Sequence, residues 1–209
     1  MAAERQLTEQ GKERKQQLLD QAARLFAERG YAGTRVIDIC EAAGVAKGLF
    51  YWYFETKEAL FIELVRSMRL RLRRAQGAAI DPHADALTRM RQGSVASVRF
   101  MAEHMAFFSL LEVEARDQKL SDVLKEGSHT HVGDVLVMVE AAQREGLAPD
   151  HLDPVLLALG VHGAVSQFCH YHRTGRITCG VDELAEFVAD WVVRAVAGEV
   201  PAVTGPAER

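Results

Sequence analysis

Along this chain of 209 residues apolar side chains return every three or four positions, and no stretch alternates apolar and polar residues as a half-buried strand does. That spacing lays a hydrophobic stripe down one side of a helix and would scatter the same residues over both faces of a sheet. An all-α fold of about nine helices is therefore expected. With 48% apolar residues the chain has enough hydrophobic surface to bury a core and too much to stay unfolded. Three cysteines (Cys40, Cys169, Cys179) are too few and too scattered for a disulfide framework. The first 19 residues lack the apolar run of a secretory leader, so a cytoplasmic protein is expected. The most apolar stretches, residues 133–142 and 154–165, are broken by charge, His or Gly well before the roughly 20 residues of a membrane helix, and no membrane partner is expected.

The breaks between helices are legible from their residue types. A first helix over about 12–29 carries Leu18, Ala22, Leu25 and Phe26 on one stripe and stops at Gly30. After a short turn, Thr34 is expected to cap a second helix whose stripe is Val36, Ile39, Cys40 and Ala43. Gly44-Val45 breaks it, and a third short helix runs over 47–54. Thr56 is expected to cap a fourth, to about 75, with Leu60, Leu64, Met68 and Leu72 in a row. Asp81-Pro82 and Asp153-Pro154 each place a capping carboxylate before a proline, which predicts helix starts at 82 and 154. The remaining helices are expected at about 82–103, 106–117, 119–145, 154–174 and 182–198, with a frayed tail from 199.

Residues 34–54 form two short helices around a tight glycine turn, the helix-turn-helix pattern. In the second of them Phe50 and Phe54, four apart, point inward against Ile39 and Phe26. Lys47, Tyr51 and one side of Trp52 and Tyr53 are left outward. Lysine interleaved with aromatics on a short helix suits the major groove, where early residues reach base edges and Lys and Tyr bond phosphates. On spacing alone, a structural hairpin with core aromatics remains open. The charge distribution favours a local nucleic-acid surface: the net charge is −4, yet residues 1–74 hold 14 basic and 10 acidic side chains, against 11 and 19 in the rest.

The run Leu18 to Phe26, then Gly30-Tyr31, Thr34, Ile39, Ala43-Gly44-Val45, Lys47-Gly48, Phe50-Tyr51, Tyr53-Phe54 and Lys57-Glu58-Ala59-Leu60, resembles the N-terminal signature of the TetR family of bacterial transcriptional regulators. The match covers about 45 residues without a gap. The resemblance implies a helix-turn-helix DNA-binding domain over 1–55, a fourth helix from 56 as connector, and a helical effector-binding and dimerisation domain over 56–209. It also implies that Thr34 and Arg35 touch backbone phosphate, that Lys47, Gly48, Leu49 and Tyr51 face the groove, and that Tyr53 and Lys57 bond phosphate. Trp52 divides between core and phosphate. Relatives often carry small hydroxyl residues where Ala46 and Leu49 stand, and a His at the place of Tyr53; Leu49 would press on a thymine methyl instead.

Helix nine offers Leu184, Phe187, Val188, Trp191 and Val192, and helix eight a small-residue row, Gly160, Gly163, Ala164 and Gln167. Two such helices from each of two chains would make the four-helix dimer interface that the resemblance implies, and a twofold dimer reads a palindromic double-stranded operator. The same stripe as intramolecular core stays open. Phe100, Met101, His104, Met105, Phe107, Phe108 and Leu111, with Val135, Met138, Val139 and the segment from His162 to His172, which includes Phe168 and Tyr171, are candidate walls for a small hydrophobic effector, or ordinary packing. Arg66, Arg69 and Arg73 are a solvated face, or a hinge pairing with Glu112, Glu114 and Asp117. For a metal, only Cys169 and His172 have workable spacing, and no metal or other cofactor is expected. Phosphate loops, nucleophile elbows and HExxH are missing, so no enzyme is expected. The expected function is a dimeric repressor released from its operator by an effector. An activator or co-ligand-dependent regulator of the same fold, or an all-α enzyme or cofactor carrier, are the alternatives.

Overall fold

The computed structural model describes residues 8–114 and 118–198, with the side chains of 113–130 left out of the description. Among these residues there are nine α-helices and no strand. They are α1 (Glu9–Arg29), α2 (Val36–Ala42), α3 (Lys47–Tyr53), α4 (Lys57–Ala79), α5 (Ala86–Glu103), α6 (Met105–Glu114), α7 (Gln118–Arg144), α8 (Pro154–Arg173) and α9 (Val181–Ala197). The tail from 199 lies outside the described residues. No helix among them is long and apolar enough to cross a membrane.

Caps explain most of the boundaries, and three differ from expectation. Helix α1 begins earlier than 12 because the Thr8 hydroxyl accepts the Gly11 N–H. The cap residue of α2 is Arg35, not Thr34: the Asp38 carboxylate accepts the Arg35 N–H at 2.9 Å, closing the first turn from within the helix. Asp81-Pro82 makes only a turn, with Asp81 accepting the His83 N–H. The helix starts at Ala86, where Asp85 accepts the Thr88 N–H and hydroxyl. At the other such dipeptide the expected start holds: Asp153 accepts from Val155 and Leu156, and Pro154 is the first helical residue.

The chain divides into two compact units, one comprising residues up to Leu70 and Met105–Glu126, the other Arg71–His104 and residues from Gly127. The break between α5 and α6 is a single residue, His104, whose ring stacks on Phe100 at 4.2 Å. In the first unit Leu18, Ala22, Leu25 and Phe26 of α1 bury their stripe with Ile39, Phe50, Leu60 and Phe61. Helix α6 packs on α1, and its Phe107 and Leu110 are buried. Each such side chain withdrawn from water contributes about 1.5–3 kcal/mol.

The second unit is built on the pairing of α5 with α9. Its core contains Met90 and Val98 of α5, Val161 and Val165 of α8, and Leu184, Val188 and Val192 of α9, with Ala185 and Ala189 small enough to let the helices approach. Charge pairs flank it: Arg91 bonds Glu186 at 2.5 Å and Asp190 at 2.9 Å, and Arg99 bonds Asp182 at 2.9 Å. These exposed pairs fix register more than they add stability.

Candidate nucleic-acid interface

Helix α3 is held by its own two aromatic anchors. Phe50 is wholly buried and Phe54 nearly so, their rings 5.7 Å apart, and this pair turns the opposite face outward. On that face Lys47 and Gly48 are exposed, and Tyr51 and Trp52 keep 48% and 49% of their surface. Leu49 and Tyr53 are half-buried; Tyr53 packs edge-on against Trp52 at 4.6 Å. The Lys47 ammonium sits 5.8 Å from the Tyr51 ring centre. Two large aromatics and a lysine left in water on one short helix make a surface shaped for a polyanion with flat edges.

The turn before α3 is a backbone device. Gly44 has φ +64°, a conformation that side-chain-bearing residues rarely adopt, and the chain closes through Val45 N–H to the Cys40 carbonyl at 3.0 Å. One turn earlier, a Cβ on Gly33 would lie 2.4 Å from the Arg29 carbonyl oxygen, so only glycine fits.

Two nominated phosphate contacts prove to be internal struts. The Thr34 side chain is wholly buried, and its hydroxyl donates to the carbonyls of Leu25 and Gly30 at 3.2 and 2.9 Å. A hydroxyl that satisfies two helix-end carbonyls is unavailable to DNA. The Lys57 ammonium donates to the carbonyls of Tyr31 and Thr34 at 2.6 and 2.8 Å and lies 4.1 Å from the Tyr31 ring centre. It clasps the α1–α2 turn to the start of α4. Arg35 does lie on the surface, but Asp38 bonds both its Nε and its terminal nitrogen, at 3.1 and 2.7 Å. Those hydrogen bonds, together with the capping N–H, hold the Asp38 carboxyl down at about 2.

The helix-nine stripe separates into two faces. Leu184, Val188 and Val192 belong to the chain's own core, a correction to their reading as dimer residues: an apolar arc that wide has one flank turned inward. Phe187 and Trp191 stay 55% and 40% exposed, and on α8 Leu156 and Leu159 keep 67% and 49% of their surface. Gly160, Gly163 and Gln167 are exposed on the same helix, Ala164 is half-buried, and a Cβ on either glycine would meet nothing within 4 Å.

Of the candidate pocket residues, Val135, Met138 and, from the 162–172 segment, His162 and Val165 line the cavity of the second unit. Phe100 is buried under His104; Met101 and Phe168 pack on the core, and Phe168 also meets Phe187 and Trp191. Tyr171 sits under Arg176. Met105, Phe108 and Leu111 belong to α6 in the first unit. Phe108 and Leu111 are half-buried, and Met105 keeps 45% of its surface. The cavity, a small recess partly open to solvent, lies between α4, α5, α7 and α8. Sequence reasoning missed Gln76, Ser94, Ser97, His131 and Asp134 among its walls, because residues scattered over 60 positions carry no local signal. Arg73 pairs with Asp134 at 2.9 Å; of the acidic run near 112–117, the side chains of Glu114 and Asp117 lie outside the described ones.

Burial pushes the Cys169 thiol up to about 12, and the His172 Nε2 lies 3.1 Å from the Cys179 carbonyl. No group of three His, Cys, Asp or Glu able to hold a metal occurs among the described residues.

An all-helical chain with a helix-turn-helix whose second helix bares lysine and aromatics is a DNA-binding architecture. Residues 18–64 match the family model described as bacterial regulatory proteins, tetR family. The regulator TtgR of Pseudomonas putida is 28% identical over 174 residues, 77% of this chain and 80% of that protein. The repressor KstR2 of Rhodococcus jostii is 49% identical over 53 residues, 25% of this chain and 26% of that one. The structure of the fatty acid degradation regulator FadR from Bacillus halodurans superposes with a TM-score of 0.77 at 20% identity, over 86% of this chain and 94% of that one, which shows a shared fold. Residues 18–64 are thus a tetR-family DNA-binding region, and the chain is a helix-turn-helix transcriptional regulator similar over most of its length to others of that kind.

Proposed function

We propose that the chain is a dimeric cytoplasmic repressor that grips a palindromic operator through α3 of each subunit and has no enzymatic activity. The observation that carries this is the two-sided α3: Phe50 and Phe54 lock it down while Lys47, Gly48, Tyr51 and Trp52 stand in solvent. Leu49 reaches a thymine methyl, and Arg35 and Tyr53 reach phosphates. The pairing surface is Leu156, Leu159, Phe187 and Trp191, with Gly160 and Gly163 giving close approach to the partner's helices. A small effector in the second unit favours a conformation in which the two reading helices are wrongly spaced for successive major grooves, and operator affinity falls.

Selection of bound genomic fragments followed by footprinting identifies the operator. With that site in hand, Lys47→Ala and Tyr51→Ala each lower specific affinity by about 1–3 kcal/mol and leave the dimer intact by light scattering. Affinity in both variants equal to the wild type would refute the reading.

A further inference from the structure

His104 is the single residue between α5 and α6, and its side chain, 13% exposed, is tied on three sides. The ring stacks on Phe100 at 4.2 Å with the two planes 10° apart. Its Nδ1 lies 3.0 Å from the Phe100 carbonyl, which also accepts the His104 backbone N–H at 3.1 Å. Its Nε2 lies 2.9 Å from a terminal nitrogen of Arg71 on α4. These partners fix how the ring is protonated. A guanidinium only donates and a carbonyl only accepts, so Nε2 is the bare acceptor and Nδ1 carries the hydrogen. The imidazole bonded in this way is neutral and in one tautomer.

A second proton has one place to go, the Nε2 lone pair that Arg71 already uses. Proton and guanidinium therefore compete for one atom, and winning the proton turns a hydrogen bond into two facing cations. Two charged groups meet the ring, and they act in opposite senses. Arg71 disfavours the imidazolium, whereas Glu103 of α5, with a carboxylate oxygen 4.0 Å from Nδ1, favours it from a side chain 76% exposed and screened by water. Stacking on Phe100 accepts either form. Imidazole is the side chain whose charge ordinarily changes between about pH 5 and 8, so the signal that opens the bond is mild acid. Both bonded residues belong to the second unit and stand where the chain leaves it. Arg71 directly follows Leu70 and His104 directly precedes Met105, two of the three places at which the chain passes between the units. Farther along the same two helices Gln76 donates to Ser97 at 2.8 Å, so losing the Arg71 bond frees these exits without parting α4 from α5.

Resting on the reading of the chain as a dimeric operator-binding repressor, we propose that Arg71, His104 and the Phe100 carbonyl form a proton-operated latch. Neutral His104 ties the two exits together; a proton on Nε2 expels the guanidinium, the exits loosen, and operator affinity falls. The test uses the full-length protein, labelled with nitrogen-15, and the operator found by footprinting. At pH 8.0 the His104 side-chain nitrogen signals show the Nδ1–H tautomer; on acidification Nε2 takes a proton and the Arg71 side-chain signals move with it. Between pH 8.0 and 5.5, at fixed ionic strength, wild-type operator affinity falls by at least about fivefold. His104→Gln offers Arg71 an acceptor that no proton takes, and keeps the affinity that the wild type has at pH 8.0. Arg71→Met cannot form the bond at any pH, and holds the lower affinity that the wild type has at pH 5.5. Should one variant fail to fold, the other decides, because the two are expected at opposite plateaus. A fall of wild-type size in either variant overturns the proposal, as does an Nε2–H tautomer at pH 8.0. If the wild type binds no operator at either pH, the repressor reading fails, and the latch stands or falls on whether the Arg71 signals follow the His104 proton.

Discussion

Residues 50–54 and 100–111 are both rich in aromatics, yet they are used in opposite ways. In the first segment the spacing of Phe50 and Phe54 anchors one face of a single helix, and what remains, Tyr51 and Trp52, is displayed. In the second, the helix breaks at His104, so Phe100 is buried in one unit and Phe107 in the other. Neither half displays an aromatic: Phe100 and Phe107 are buried and Phe108 is half-buried. Aromatic density therefore marks a recognition surface only where the same helix also holds its own anchors; elsewhere it marks packing.

The largest effects should come from breaking anchors. Val188→Asp places a charge in the wholly buried seam of α9, where no described partner can neutralise it, and should unfold the second unit. Phe187→Ser, one residue away and 55% exposed, should leave the melting temperature nearly unchanged and shift only the association state, seen by light scattering. Phe50→Ala comes next, at about 3–5 kcal/mol in urea denaturation followed by circular dichroism. By the same assay Tyr51→Ala should cost no more than about 0.5 kcal/mol. Equal losses at 50 and 51 would mean that α3 has no outer face.

A smaller effect sharpens the contrast between strut and contact. Lys57→Met keeps the aliphatic stem and removes both charge-assisted bonds to Tyr31 and Thr34, so it should destabilise the protein by about 2–3 kcal/mol. If Lys57 instead served DNA alone, stability would hold and the slope of log affinity against log salt would fall by about one.

The helical fold was legible because amphipathic period is a property of each segment alone, and the helix-turn-helix because Gly44, Phe50 and Phe54 fall at fixed local offsets. Roles fixed by tertiary neighbours were not. Thr34 is a fitting cap residue by type, but two carbonyls at the end of α1 claim its hydroxyl, and the helix begins one residue later with Arg35 as the cap. Val188 and Phe187 are both apolar on one stripe, and only the position of α5 decides which is core. The cavity was hidden for a related reason. Gln76, Ser94 and His131 come to its wall from three helices, and a single polar residue on a helix has no pattern to announce it.

The smallest expected effect concerns the rim of the reading surface. Arg35 is aimed at solvent but tied by Asp38, so the positive charge offered to a phosphate is largely cancelled next door. Asp38→Asn keeps an oxygen to accept the Arg35 N–H and deletes that opposing charge. Operator affinity should rise modestly, and the salt slope should steepen by about one as Arg35 becomes a full phosphate contact. Stability should change in the opposite sense and only over a defined range. Because folding depresses the Asp38 pKa to about 2, the wild type gains from the pair above the ordinary carboxylate range and loses that gain as pH falls toward 2. The variant's acid unfolding profile should lack that component. A salt slope unchanged by Asp38→Asn would place Arg35 off the DNA and confine the phosphate grip to α3 itself.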